Sequence, residues 1–86
     1  MFYVYILRSQ KSQELYIGYT SDLKKRIKEH NSGRSRYTSG HKPYVLAYYE
    51  AYSSQKDAKH REESLKLRGR ARVHLLKRVE DSLKLK

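Results

Sequence analysis

"LYIGYTSDLKKRIKEHNSG", Leu15 to Gly33, decides how this chain folds. It reads as a strand, a glycine turn and a capped, strongly basic helix. Leu15 to Thr20 is β-branched and aromatic, as strands are. Gly18 near its end suggests a bend or a close backbone approach. A helix then starts at Thr20-Ser21-Asp22, with Thr20 or Ser21 expected as the N-cap and Asp22 in the first turn. Leu23 and Ile27 form its apolar stripe at i, i+4, and Gly33 is a natural C-terminal stop. At about 100° per residue, Arg26 and His30 fall on one flank of that stripe, while Lys24, Lys25 and Lys28 point away. A guanidinium at the boundary of core and solvent is costly without a partner. Arg26 therefore snorkels, pairs with an acid, or serves a site.

Upstream, "FYVYIL" (Phe2 to Leu7) is apolar throughout, so it reads as a strand inside the sheet. The polar turn "RSQKSQE" joins it to Leu15–Thr20 as a hairpin. Downstream, the basic loop "RSRYTSGHKP" precedes a third strand, "YVLAYYEAY", Tyr44 to Tyr52. "SSQKDAKHREESLKLRG" is a second helix, capped by Ser53 or Ser54 and stopped near Gly69. "RARVHLLKRVEDSLKLK" is a third, with Val73, Leu76, Val79 and Leu83 on one broad apolar face. The expected architecture is α+β: a three-stranded, mostly antiparallel sheet flanked by about three helices, in a single domain over residues 1–86.

Twenty Lys and Arg face nine Asp and Glu, a formal net charge of +11. A field of that sign favours polyanions, nucleic acid first and an anionic membrane surface second. Nine tyrosines add rings with polar tips, some of which could stack on bases while most serve as core edges. Without cysteine there is no disulfide and no thiolate zinc site. "MFYVYILRSQ" lacks a basic n-region and reaches a charge at Arg8, so neither a signal peptide nor a membrane span is expected, and the default location is cytoplasmic. On the second helix, Glu62 falls between Ala58 and Leu65 on the apolar face. A carboxylate there needs an ion pair, a hydrogen bond or a metal. Arg26 is one candidate partner. A hard divalent cation is another, because Mg²⁺ is content with one or two carboxylates plus water and phosphate. His41 in the basic loop could contact phosphate, whereas His60 and His74 read as surface.

"YVY" at Tyr3 to Tyr5, "YIG" at Tyr16 to Gly18, then Arg26, His30 and Glu62, resemble the GIY-YIG nuclease domain. "YIG" alone is a weak signal. The ordered set, with an arginine ten residues after the second tyrosine and a histidine four further on, is specific. The likeness runs from about residue 2 to residue 68, and the size is similar to the small stand-alone bacterial members of the UPF0213 type. "YVY" departs from "GIY" at its first glycine, and Tyr19 stands where repair-type relatives often carry a lysine.

The resemblance implies metal-dependent hydrolysis of a DNA phosphodiester with Mg²⁺ or Mn²⁺. By position, Tyr5 and Tyr16 look like the two signature tyrosines, Arg26 the catalytic arginine, His30 the helical histidine and Glu62 the metal ligand. Gly18 matches the glycine that admits a close backbone approach. A free phenol has a pKa of about 10, so a tyrosine acting as base has to be lowered by Arg26, lysines or the metal. Lys24, Lys25, Lys28, Arg34, Arg36 and Lys42 would track the DNA backbone. The expected partner is DNA, branched or flapped, with specificity supplied by a protein partner and the chain itself a monomer. The competing reading is a nucleic-acid-binding module that keeps the nuclease fold with little or no intrinsic catalysis. A third, a plain interaction protein charged for solubility, predicts no salt-dependent DNA affinity.

Overall fold

Six successive buried residues, Val4 to Ser9, put β1 (Phe2–Ser9) at the centre of the sheet. The structure is a computed structural model and describes residues 1–33, 40–67 and 69–84. β1 pairs antiparallel with β2 (Leu15–Thr20) on one side and with β3 (Tyr44–Tyr52) on the other, in the order β2-β1-β3. Side chains alternate across a strand, so β1 serves two cores. Val4 and Ile6 pack with Ile17, Ala58, Leu65, Leu75 and Val79. Tyr5 and Leu7 pack with Tyr44, Tyr16, Leu23 and Ile27. The first core lies under α2 (Gln55–Lys66) and α3 (Arg70–Arg78), the second under α1 (Leu23–Asn31). The sheet is thus the α+β assembly expected, with a fourth short helix, α4 (Glu80–Lys84), closing the described residues.

Three local expectations are corrected. The N-cap of α1 is Asp22, in extended backbone, whose carboxylate accepts the Lys25 N–H at 3.1 Å. Thr20 sits two residues earlier and accepts the Asp22 N–H at 3.1 Å, forming the turn that leads into the cap. Both oxygens can cap, and the one adjacent to the first helical residue wins. The third helix breaks at Val79 into α3 and α4, and Val73 is 61% exposed. Leu76, Val79 and Leu83 do pack on the core as expected, joined by Leu75 and the partly buried Ala71, while Val73 faces solvent. Finally, α2 ends at Lys66 with Leu67 as its C-cap, and Gly69 opens α3 as its N-cap. Ser54 caps α2 as expected, accepting the Asp57 N–H at 3.3 Å.

The C-terminus of α1 is fixed twice. Gly33 takes a left-handed φ of +82°, which a glycine adopts without cost. The Asn31 side chain then pairs with the backbone of Tyr44, accepting its N–H at 2.6 Å and donating to its carbonyl at 3.0 Å. This two-point clamp ties α1 to the start of β3. Among the described residues, no helix is long and apolar enough to cross a membrane.

Candidate active site

The ladder sets Tyr5 opposite Gly18 on β2, with Tyr16 two residues away on the same face. A side chain at Gly18 would collide with the Tyr5 phenol, and its Cβ would lie 2.9 Å from Cε2 of Tyr16. The glycine therefore leaves the volume that the two rings occupy, and this is the close approach expected of it. The ring centroids of Tyr5 and Tyr16 are 6.2 Å apart. His30 reaches in from α1 and is wholly buried, with its ring 4.7 Å from that of Tyr16. Its Nε2 is 3.0 Å from the Tyr5 hydroxyl oxygen.

Charge fixes the direction of that bond. Burial first, and the Arg26 charge second, push the His30 pKa down to about 4 against a small opposing effect of Glu29. The imidazole is thus neutral at pH 7 and its Nε2 can accept. The Tyr5 O–H then donates to it, with the Arg26 charge close enough to act on the phenol oxygen. The Tyr5 phenol is pushed up to about 12, by burial above all, with Arg26 pulling the other way and losing. Lowering by Arg26 was expected for a base; at Tyr5 desolvation outweighs it.

Arg26 is one-third exposed and bonds Glu29 at 3.1 Å. Burial works against its charge, but Glu29 and the phenols of Tyr5 and Tyr16 outweigh this and hold its pKa above the usual arginine value. Glu62, on α2, pairs with Lys66 at 3.1 Å and not with Arg26. It is near enough to Tyr5 for its negative charge to disfavour the phenolate. Among the described residues no three His, Cys, Asp or Glu side chains gather as a ready-made metal cage. A single carboxylate, one-fifth exposed and held by a half-exposed lysine that can swing away, still suits Mg²⁺ or Mn²⁺, which keep most of their waters.

Tyr5, Tyr16, Gly18, Arg26, His30 and Glu62 thus come from β1, β2, α1 and α2. Lys24, Lys25 and Lys28 are exposed on α1, and Lys42 is exposed beside Gly33 at the far end of that helix. Arg34 and Arg36 lie outside the described residues. His41 is taken up by the β1–β2 turn, with Nδ1 3.0 Å from Ser12 Oγ and Nε2 3.4 Å from Glu14. His60 and His74 are on the surface, as read from the sequence.

Sequence reasoning missed a polar cluster on the opposite face of β3. Glu50 accepts from Nε and Nη2 of Arg61 at 2.9 Å and from the hydroxyls of Tyr48 and Tyr52 at 2.5 Å. Burial alone would raise the Glu50 carboxyl, but these donors outweigh it and hold it below the usual carboxylate range. The signal was present: "YYEAY" places Tyr48, Glu50 and Tyr52 at alternate positions, on one face of the strand.

Residues 1–78 match the model of the GIY-YIG catalytic domain. This chain belongs to the GIY-YIG family. GIY-YIG proteins are a nuclease family, and several small relatives are close in sequence. A UPF0213 protein of Clostridium perfringens is 45% identical over 67 residues, covering 77% of this chain and 71% of the relative. One from Staphylococcus haemolyticus is 43% identical over 65 residues, covering 74% and 78%. The solution NMR structure of a UPF0213 protein from Bacillus halodurans superposes with a TM-score of 0.54 at 37% identity, covering 98% of this chain and 86% of that one.

Proposed function

We propose that this GIY-YIG chain is a divalent-metal-dependent DNA endonuclease, structure-directed or weakly sequence-specific. One observation carries the reading: the Tyr5 hydroxyl, hydrogen-bonded to buried His30 and beside the Tyr16 ring, lies close enough to Arg26 and to Glu62 to feel the charge of each. That brings a phosphate-binding cation, a proton-transfer group and a hard metal ligand to one spot. Arg26 holds the non-bridging oxygens as charge builds on the phosphorane-like transition state. Tyr16 is the phenol not bound to His30 and only partly buried, so it orients the attacking water and, with its own proton first released to solvent, takes the proton that the water gives up. Tyr5, buried and donating to a neutral His30, fixes Arg26 and leaves proton transfer to Tyr16. Glu62 would hold the ion once Lys66 gives up the carboxylate. A bound Mg²⁺ or Mn²⁺ supplies neutralisation of the phosphate and of the leaving oxygen. Lys24, Lys25, Lys28 and Lys42 follow the DNA backbone.

The test is cleavage of labelled branched, flapped, single-stranded and linear duplex DNA with Mg²⁺ or Mn²⁺. Nicking is expected from the parent protein and not from Glu62→Ala, while Arg26→Ala loses about 10²–10³ in rate. The Glu62–Lys66 pair favours a second reading, a binding module with little catalysis of its own. Salt-dependent binding without cleavage on any substrate, with either metal, would establish that one instead.

A further inference from the structure

Tyr49 is directly opposite Tyr5 in the β1–β3 ladder, on the same face, yet it is 52% exposed. It stands at the mouth of a cavity of about 450 Å³ between β3 and the first turns of α1, lined by Tyr3, Tyr49, Leu23, Ile27, Asp22 and Lys24. The Tyr3 ring braces Tyr49 edge-on, with centroids 5.9 Å apart and planes at 64°. On the helix, Lys24 and Arg26 fall on opposite flanks of the Leu23–Ile27 stripe. The cavity and the candidate active site are therefore neighbours separated by one helix, and both open from the same face of the sheet.

The lining decides the class of ligand. Two phenol rings and two aliphatic side chains are apolar walls, and the charges of Lys24 and Asp22 offset each other. Such a cavity gives an uncharged aromatic ring much of what it needs. Lys25 and Lys28 are exposed on the same helix, and the whole chain carries +11, so a polyanionic strand is drawn to its rim. A base stacked inside a duplex cannot reach a side cavity, whereas an unpaired one can.

We infer that this cavity binds an unpaired nucleobase of the substrate, stacked on Tyr49, in the same strand as the phosphate held by Arg26. The inference rests on the nucleic-acid reading above and deepens it. It gives the chain a physical reason to prefer flaps, branches and single strands over plain duplex.

Binding is measured without divalent metal, so that nothing is cleaved, on a short single strand, a flap and a blunt duplex. One base of the single strand is replaced in turn by fluorescent 2-aminopurine. Base–aromatic stacking predicts that Tyr49→Ala weakens single-strand and flap binding by about 5- to 100-fold and duplex binding by less than about twofold. Tyr49→Phe, which keeps the ring, retains the parent affinity. One position of 2-aminopurine is quenched by the parent protein and not by Tyr49→Ala. Cleavage with Mg²⁺ or Mn²⁺ is followed in the same variants. Unchanged single-strand binding by a folded Tyr49→Ala overturns the inference, and normal cleavage by that variant leaves the nuclease reading standing. Tyr49-dependent binding without cleavage supports the pocket and removes the nuclease reading. Equal losses on single strand and duplex, or a parent dimer that Tyr49→Ala dissociates, overturn the pocket in favour of a general contact or a self-association face.

Discussion

His30 shows how one side chain can be both placed and disarmed by its surroundings. The imidazole is fully buried against Tyr5, Tyr16 and Tyr44, with a guanidinium nearby, so protonating it inside the fold is costly. Its pKa falls from 6.5 to about 4 on folding, so between those values the unfolded chain binds the extra proton. Stability is therefore fully present above pH 6.5 and is lost as pH falls toward 4, by on the order of 3 kcal/mol from this group alone. Denaturant melts across that range should show the slope, and His30→Gln, which can still accept from Tyr5, should flatten it. A slope unchanged in the variant would remove His30 as its source. At this scale the sequence was informative about identity and vague about environment. Spacing put Arg26 and His30 on the correct flank of the helix, but only the fold reveals that His30 is sealed in and that Arg26 leans on Glu29. Asp22 took the cap from Thr20 and Ser21 for a reason of backbone position that residue type does not encode.

Elements are held in place by pairs of groups whose partners are distant in sequence. Glu50 on β3 grips Arg61 on α2, and Glu62 is the next residue along that helix. The fork thereby sets the rotation of α2 and with it the direction in which Glu62 faces. Replacing Glu50 by Ala leaves Arg61 and two buried-edge hydroxyls without their acceptor, at a cost of about 2–4 kcal/mol. Chemical denaturation should read this directly, and Glu50→Gln, which keeps one carbonyl oxygen, should recover part of it. If Glu50→Ala melts like the parent, α2 is held by Ala58 and Leu65 alone. Strands were the most legible elements: apolar continuity placed β1 in the middle, and β-branched and aromatic runs gave β2 and β3 nearly residue for residue. The region after Gly69 was the least legible. The expected face held at Leu76, Val79 and Leu83 and failed at Val73, because it is Leu75 that packs with Ala58 and Leu65 of α2, a tertiary fact.

Across the whole molecule, charge and tyrosines act together. Tyr5, Tyr48 and Tyr52 are each raised to about 12, chiefly by burial, and Tyr48 and Tyr52 also by the Glu50 charge. Unfolded phenols titrate near 10, so between 10 and 12 the unfolded chain has fewer protons bound and is favoured as pH rises. An alkaline titration followed by phenolate absorbance and circular dichroism should show exposed tyrosines ionising first. The buried ones should then appear together with loss of structure. A single smooth transition of all nine tyrosines near 10, with structure intact, would contradict their burial. The central position of β1 has a further consequence, for biosynthesis. This strand leaves the ribosome before either of its neighbours, with both hydrogen-bonding edges bare and a run of apolar side chains exposed. β2 covers one edge almost at once through the short turn, but β3 arrives only after α1 and the basic loop have been made. Until then the nascent chain presents an open edge for strand addition, and at protein synthesis rates of about 5–20 residues per second that interval lasts for seconds. The lysines of α1, translated in that same interval, give the waiting intermediate a positive charge that keeps copies on neighbouring ribosomes apart.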